Sequence, residues 1–268
     1  MTAVPLGGDV DLRDRPAAAS VIAECLSAQT ATAPRGAIAR FFGVSPLTDQ
    51  ARPWYLGALG EIEVARRLGA LDAGWLVLHA VPIGSGTSDI DHVVVGRGGV
   101  FTINTKFHEG KDIWVGGKRI LVGGQRTDHL RNARFEATRA AQLLAAATGH
   151  PAAVTPILVF VGARRITIRE RPAGVVILRE RELVWWLRKR SAILPADALA
   201  RVMTAAADAS TWHRDPTVLP VDLASFGELR VDVRRARRRR VGWALAGLAA
   251  IGAAASALWT PAMTALIG

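Results

Sequence analysis

Four polar residues stand at matched positions in two neighbouring apolar runs of this sequence. The runs are residues 89–95 and 100–106, and the polar residues are Asp89, Asp91, Asn104 and Lys106. The glycine-rich stretch at residues 96–99, which separates the runs, is typical of the turn of a β-hairpin. Two carboxylates, an amide and an amine are costly to bury unless they pair with one another or hold a bound group. These four residues are therefore the first candidates for a functional site.

The register of the predicted hairpin brings the four side chains together. A short turn pairs the last residue of the first run with the first residue of the second, which places Asp91 opposite Asn104 and Asp89 opposite Lys106. Side chains alternate between the two faces of a strand, so all four lie on one face. The alternative is an ion pair between Asp91 and Lys106 that serves folding alone, because breaking a buried pair is also strongly destabilising.

Helical and alternating patterns predict the elements that position this hairpin. Apolar residues at helical spacing predict a helix over residues 54–71, which carries Glu61. A later helix is predicted over residues 128–148, with Asp128 as its cap and Gly149 as its stop. Strands are predicted over residues 75–82, 89–95, 100–106 and 154–161, and a second hairpin over residues 111–115 and 119–122. This order predicts an α/β domain.

Glu63 and His92 lie close in sequence to the candidates but are predicted to point elsewhere. Glu63 lies about 200° round the helix from Glu61. His92 is adjacent to Asp91 on its strand and therefore faces the other side of the sheet. We expect His92 to pack between the sheet and a helix.

Two further groups of polar residues are weaker candidates. His108 and His129 do not follow the spacing of metal ligands, and we expect them in loops. Asn132, Glu136 and Gln142 share the later helix, which could border the same cleft. No glycine-rich stretch is followed by the Gly-Lys-Ser/Thr of a phosphate-binding loop, so nucleotide hydrolysis of that type is not supported.

The positive charge of the chain is concentrated in one short segment. The net charge is +11, and residues 230–240 contain seven arginines and one aspartate. The rest of the chain is only mildly basic, so the charge does not by itself indicate nucleic-acid binding. Cys25 is the only cysteine, which excludes an intrachain disulfide and favours a reducing compartment.

The C-terminal segment differs in kind from the rest of the chain. Residues 241–268 contain no charged side chain, and Trp243 and Trp259 stand near the two ends of the apolar stretch. A helix needs ~20 apolar residues to cross a bilayer, so we predict a transmembrane helix over residues 241–261. The preceding arginines favour a single-pass cell-membrane protein with residues 1–240 in the cytoplasm. The alternatives are an Ala/Gly-rich buried helix and arginines that bind nucleic acid.

Several motifs together resemble the NERD, or nuclease-related, domain. They are GALGEIEVARRL (57–68), SDIDHVVVGRGGVFTINTK (88–106) and the later helix with Asn132 and Glu136. The resemblance implies a restriction-endonuclease-like αβββαβ core of the PD-(D/E)xK superfamily. The flanking helices and the C-terminal transmembrane helix lie outside the resemblance and complete the predicted fold. The expected divisions are a helical leader (1–50), the nuclease-related domain (52–165), a closing extension (166–215), a basic linker (216–240) and the transmembrane helix (241–261).

The same resemblance implies a catalytic site of Glu61, Asp91, Asn104 and Lys106. The first three would hold Mg²⁺ or Mn²⁺, which take oxygen ligands, and Lys106 would position water or stabilise negative charge on a DNA or RNA phosphodiester. Position 104 departs from the pattern, because nucleases of this type carry Glu or Asp there. The alternative function is therefore a degenerate module that binds nucleic acid or a protein partner at the cytoplasmic face of the membrane. No oligomeric state is predicted.

Overall fold

The chain forms a mixed α/β fold of helices and two β-sheets. The computed structural model describes residues 11–30, 35–83, 88–213 and 221–267, with side chains described as far as residue 254. The helices are α1 (Ala19–Thr30), α2 (Ala37–Phe41), α3 (Ala51–Leu68), α4 (His129–Thr148), α5 (Leu183–Arg188), α6 (Ala196–Ala207) and α7 (Leu223–Ile267). The strands are β1 (Leu76–Pro82), β2 (Asp89–Gly96), β3 (Gly99–Phe107), β4 (Asp112–Gly116), β5 (Arg119–Val122), β6 (Gln125–Thr127), β7 (Val154–Val161), β8 (Arg165–Ile168) and β9 (Val176–Arg179).

The larger sheet has the strand order β1-β2-β3-β7-β9 and contains the predicted hairpin. Val95 pairs with Val100 and His92 with Ile103, which is the register predicted from the sequence. Gly99 has a φ of 124°, a value that side-chain-bearing residues rarely adopt, and this explains a glycine at the end of the turn. β7 runs parallel to β3 and lies between β3 and β9, as its continuous apolar sequence predicts.

Helices α3 and α4 cover opposite faces of this sheet. Val64 and Leu68 of α3 pack in one core cluster with Ile103 of β3. The other face carries α4, whose Leu130 and Ala133 belong to a cluster with alternate residues of β7. Gly149 ends α4 in the left-handed conformation, as predicted. The two helices therefore bring side chains to the hairpin from both sides.

The second predicted hairpin belongs to a separate sheet with the strand order β6-β5-β4-β8. Its strands pair as expected, with Gly116 opposite Arg119. They do not extend the larger sheet at β3, because β2 and β7 already pair with the two edges of that strand.

The chain divides into two compact units, and the smaller contains residues 25–52 and 222–268. Within it, α7 continues through the arginine-rich segment without a break. The indole of Trp243 donates a hydrogen bond of 2.9 Å to the carbonyl of Phe41, and Arg239 donates one of 2.7 Å to the carbonyl of Arg40. Cys25 is buried here, as expected of a small apolar residue.

The expected transmembrane helix is not supported by the described residues. In the part of the chain for which the structure gives positions, no helix is both long enough and apolar enough to cross a membrane. The side chains of residues 255–268, which belong to the predicted span, lie outside the described set.

Candidate active site

Glu61 is buried because a glycine lets its helix approach β3 closely. A Cβ at Gly60 would lie 3.1 Å from the Cβ of Phe107 and 3.2 Å from the Cγ2 of Thr105. Glu61 is only 5% exposed, and its Oε2 atom is buried without a hydrogen-bond partner. Burial raises the pKa of Glu61 well above its usual range, and the charges of Asp91 and Asp89 raise it further.

Asp91 lies where the pairing of β2 with β3 ends. The last backbone pair is His92 with Ile103, and beyond it the Oδ2 atom of Asp91 accepts a hydrogen bond of 2.5 Å from the backbone N–H of Thr105. Burial raises the pKa of Asp91 to about 6, although the charge of Lys106 and the bond from Thr105 oppose the rise. The backbone of β3 therefore fixes this carboxyl group in place.

The side chain of Asn104 contacts Glu136 of helix α4, which was a weaker candidate in the sequence. Its Nδ2 atom donates a hydrogen bond of 2.6 Å to Oε1 of Glu136 on α4. The Oδ1 atom of Asn104 and the Oε2 atom of Glu136 are both buried without a partner. Burial raises the pKa of Glu136 to about 7, and the charge of Asp91 contributes to the rise.

Asp89 extends the same cluster toward the N-terminal segment. It accepts a hydrogen bond from Ser20 and feels the charge of Arg15, yet burial still raises its pKa. Its Oδ2 atom is buried without a partner. Asp89 therefore belongs to the buried acidic cluster, rather than facing solvent at the start of its strand.

Lys106 supplies a positive charge at the centre of this cluster. It is half-buried, and its charge lowers the pKa values of Glu61, Asp91 and Glu136 against the effect of burial. Among the described residues, no ion pair joins Asp91 to Lys106. The contact that the purely structural alternative requires is therefore not made.

An open pocket of about 330 Å³ borders the cluster. Asp89 of β2 and Glu136 of α4 both line this pocket. The other lining residues are Ser20, Val21, Glu24, Trp54, Ile83, Ser88, Asn132 and Phe135. No function was predicted for the N-terminal helix α1, but its residues form one wall of this pocket.

The histidines and Glu63 lie outside the carboxylate cluster. His92 is fully buried and its Nδ1 atom lies 2.9 Å from that of His79 on the neighbouring strand. Glu63 bonds Arg66 and Arg67 instead of facing the site. His108 lies in the loop after β3, as expected, but His129 is the first residue of α4. Their Nε2 atoms lie 3.3 Å apart and their rings stack.

The carboxylate and amide oxygens of the cluster suit a hard cation, although the cluster is not a metal site built from acidic side chains alone. Over the ranges that the structure describes, no three His, Cys, Asp or Glu side chains have the spacing of a metal site. Unpartnered buried oxygens occur instead on Glu61, Asn104, Asp89 and Glu136. Mg²⁺ commonly takes only one or two carboxylates and completes its shell with water and phosphate oxygens. An amide oxygen with one or two carboxylates fits that requirement.

Comparison with known proteins finds one family model that matches part of this chain. Searches of curated proteins and of solved structures gave no match. Residues 56–161 match the family model described as NERD, nuclease-related domain, and this range contains most of α3 together with β1 to β7 and α4. The resemblance carried by the GE helix and the DIDH hairpin is therefore confirmed for residues 56–161, which are similar to the nuclease-related domain.

Proposed function

We propose that this chain is a metal-dependent phosphodiesterase that cuts DNA or RNA. The observation that carries the proposal is the gathering of Glu61, Asp91 and Asn104 beside Lys106 within the part of the chain that matches a nuclease-related domain. The order α3, β1, β2, β3, α4, β7 also agrees with a restriction-endonuclease-like core, into which β4 to β6 are inserted.

Each residue has a role that follows from its chemistry. A divalent cation, when bound by Glu61, Asp91 and the amide oxygen of Asn104, supplies charge that polarises the scissile phosphate and lowers the pKa of water. The N–H of Thr105 holds one oxygen of Asp91, and the other oxygen would be the ligand. Lys106 would donate hydrogen bonds to a phosphate oxygen as negative charge develops there.

Plasmid nicking and RNA degradation by the full chain, purified in mild detergent, test this proposal. Cleavage should require Mg²⁺ or Mn²⁺ and should be lost in both Asp91→Ala and Lys106→Ala. Asp112→Ala is the matched control, because Asp112 forms an exposed ion pair with Arg164 in the smaller sheet and should not affect cleavage. Cleavage that persists in both site variants, with their folding verified by circular dichroism, contradicts the proposal.

Asn104 favours a second candidate function, a module that binds nucleic acid or a protein partner without cleaving. An amide carries no charge, so metal affinity falls relative to a site with a third acid. This function predicts no cleavage with any divalent metal. Binding of nucleic acid that weakens steeply with salt would support it, and failure to bind nucleic acid would point to a protein partner.

We also propose attachment of this module to the cell membrane through residues 241–261, with the rest of the chain on the cytoplasmic side. The uncharged sequence and the arginines at 230–240 support this proposal. Sedimentation of the expressed chain with membranes, resistant to high salt and to alkali, is the expected result. Release by either treatment contradicts a transmembrane anchor.

A further inference from the structure

Position 104 lacks an acid, but the helix α4 that faces it carries one, Glu136. Asn104 stands where the nuclease pattern has a carboxylate, and the side chain closest to its amide is that of Glu136, at 2.6 Å. Glu136 belongs to α4 and Asn104 to β3, so 32 positions in sequence separate the two.

The chemistry of the pair fixes which atoms face the site. A carboxylate can only accept hydrogen bonds, so the amide must turn its Nδ2 atom toward Glu136. The Oδ1 atom of Asn104 then points away from Glu136. This atom and the second oxygen of Glu136 are both buried without a protein partner. The pair therefore presents two oxygens, and when Glu136 is ionised it carries the one negative charge that a single carboxylate at position 104 would provide.

Small residues on α4 allow Glu136 to reach the strand. Ala133 and Ala137, which flank Glu136 by three and one positions, are buried against the sheet. Phe135 by contrast is 65% exposed and lines the open pocket together with Glu136. The helix therefore lies close to the sheet at this point, and Glu136 faces both Asn104 and the pocket.

We propose that Glu136 is a metal ligand of this site and supplies the carboxylate that position 104 lacks. Resting on the proposed function, this puts Glu136 in place of one of the two carboxylates assigned there, Glu61 or Asp91, and keeps the amide oxygen of Asn104, with water completing the shell. The assignment needs no cluster of three acids, in agreement with the spacing of the described residues. It also explains how a nuclease-like site keeps its charge despite the asparagine.

Calorimetric titration of the metal-free full chain with Mn²⁺ tests the assignment without relying on cleavage. Glu136→Gln keeps the hydrogen bond from Asn104 and removes only the charge, so Mn²⁺ affinity should fall by at least ~10-fold. The double variant Asn104→Glu/Glu136→Gln returns the carboxylate to the strand and should recover most of the affinity. Asp112→Asn is the matched control, because Asp112 lies on β4 of the smaller sheet and forms an exposed ion pair with Arg164, and the Mn²⁺ affinity of this variant should equal that of the unaltered chain.

The outcomes separate this assignment from the proposed function. Equal Mn²⁺ affinity in Glu136→Gln and the unaltered chain, with cleavage retained in both, overturns Glu136 as a ligand and leaves the nuclease function standing. An unaltered chain that neither binds Mn²⁺ nor cleaves overturns both. Loss of binding in Glu136→Gln that the double variant does not restore, with melting temperatures unchanged, also counts against an exchange of carboxylates between the two positions.

Discussion

Replacing Asp91 by asparagine should stabilise the metal-free protein at neutral pH, although it removes a proposed metal ligand. The folded protein holds the pKa of Asp91 at about 6, against an ordinary value of 3.8, because burial disfavours its charge. Each pKa unit corresponds to ~1.4 kcal/mol, so ionised Asp91 costs the fold roughly 3 kcal/mol. Asparagine can still accept the hydrogen bond from Thr105 without carrying the charge.

The pH dependence of this gain follows from the two pKa values. Below the unfolded value the carboxyl group is protonated in both states, and asparagine gives no advantage. The gain should grow as the pH rises through the folded value and then remain constant. In a chelator at about pH 7.5 the melting temperature should rise by roughly 6–12 °C, since 1 kcal/mol shifts a domain of this size by ~2–4 °C.

Differential scanning calorimetry tests this prediction. Melting temperatures of Asp91→Asn and the unaltered chain are compared in chelator, from a pH near the unfolded pKa up to about pH 7.5. Asp112→Asn is the control with the opposite sign, because hydrogen bonds from Arg164 lower the pKa of Asp112 and its loss should not stabilise the fold. The reasoning is refuted if Asp91→Asn lowers the melting temperature at neutral pH. That result would indicate a stabilising structural ion pair with Lys106, whose disruption typically costs ~3–5 kcal/mol.

Further predictions concern the cation, the glycine beside Glu61 and the amine. Without metal, stability should fall as the pH rises from about 6.5 to about 8, because the folded chain still binds protons at Glu61 and Glu136 that the unfolded chain has released. Below about 6.5 the buried histidines, whose pKa values burial lowers, act in the opposite direction. Mg²⁺ should reduce the fall in thermal melts, and an equal fall with and without Mg²⁺ would contradict cation binding. Gly60→Ala should lower the free energy of unfolding by ~1–2 kcal/mol, because the added methyl group would crowd Thr105 and Phe107. Gly227→Ala is the control: space around its Cβ is open, and this variant should raise the free energy of unfolding by up to ~1 kcal/mol in urea titrations. Equal effects at the two sites would contradict close packing at Gly60. Lys106→Met should keep Mn²⁺ binding within ~3-fold, because an ammonium group is not a metal ligand, and a complete loss of binding would show that Lys106 only holds the fold.

The hairpin was predictable from sequence because a short turn fixes its register and alternation fixes its faces. Val95 opposite Val100 and His92 opposite Ile103 follow from local rules alone. The burial of Glu61 was predictable only through the resemblance, since a Gly-Glu pair on a helix is otherwise unremarkable.

The contact between Asn104 and Glu136 could not be derived in this way. It depends on how α4 is rotated and how closely it packs on β3, and buried alanines such as Ala133 and Ala137 decide both. Periodicity gives the apolar face of a helix but not its distance from the sheet. One signal was present: an amide in place of an acid on the strand, and an acid on the helix that follows.

The placement of the second hairpin was likewise beyond local rules. The pattern of β4 and β5 predicts a strand pair equally well at the edge of the larger sheet or apart from it. The separate sheet depends on β8, which lies about 50 positions later in the sequence and pairs with β4. Long-range pairing of this kind leaves no trace in the short-range pattern of either segment.

Single-turnover cleavage of an end-labelled oligonucleotide by the full chain, with Mn²⁺ present at saturation, tests the central claim most directly. The account predicts metal-dependent cleavage by the unaltered chain and a loss of at least ~100-fold in Lys106→Met, a loss typical of removing one group that stabilises developing charge. No cleavage by the unaltered chain of either DNA or RNA, or equal rates in Lys106→Met, would contradict it.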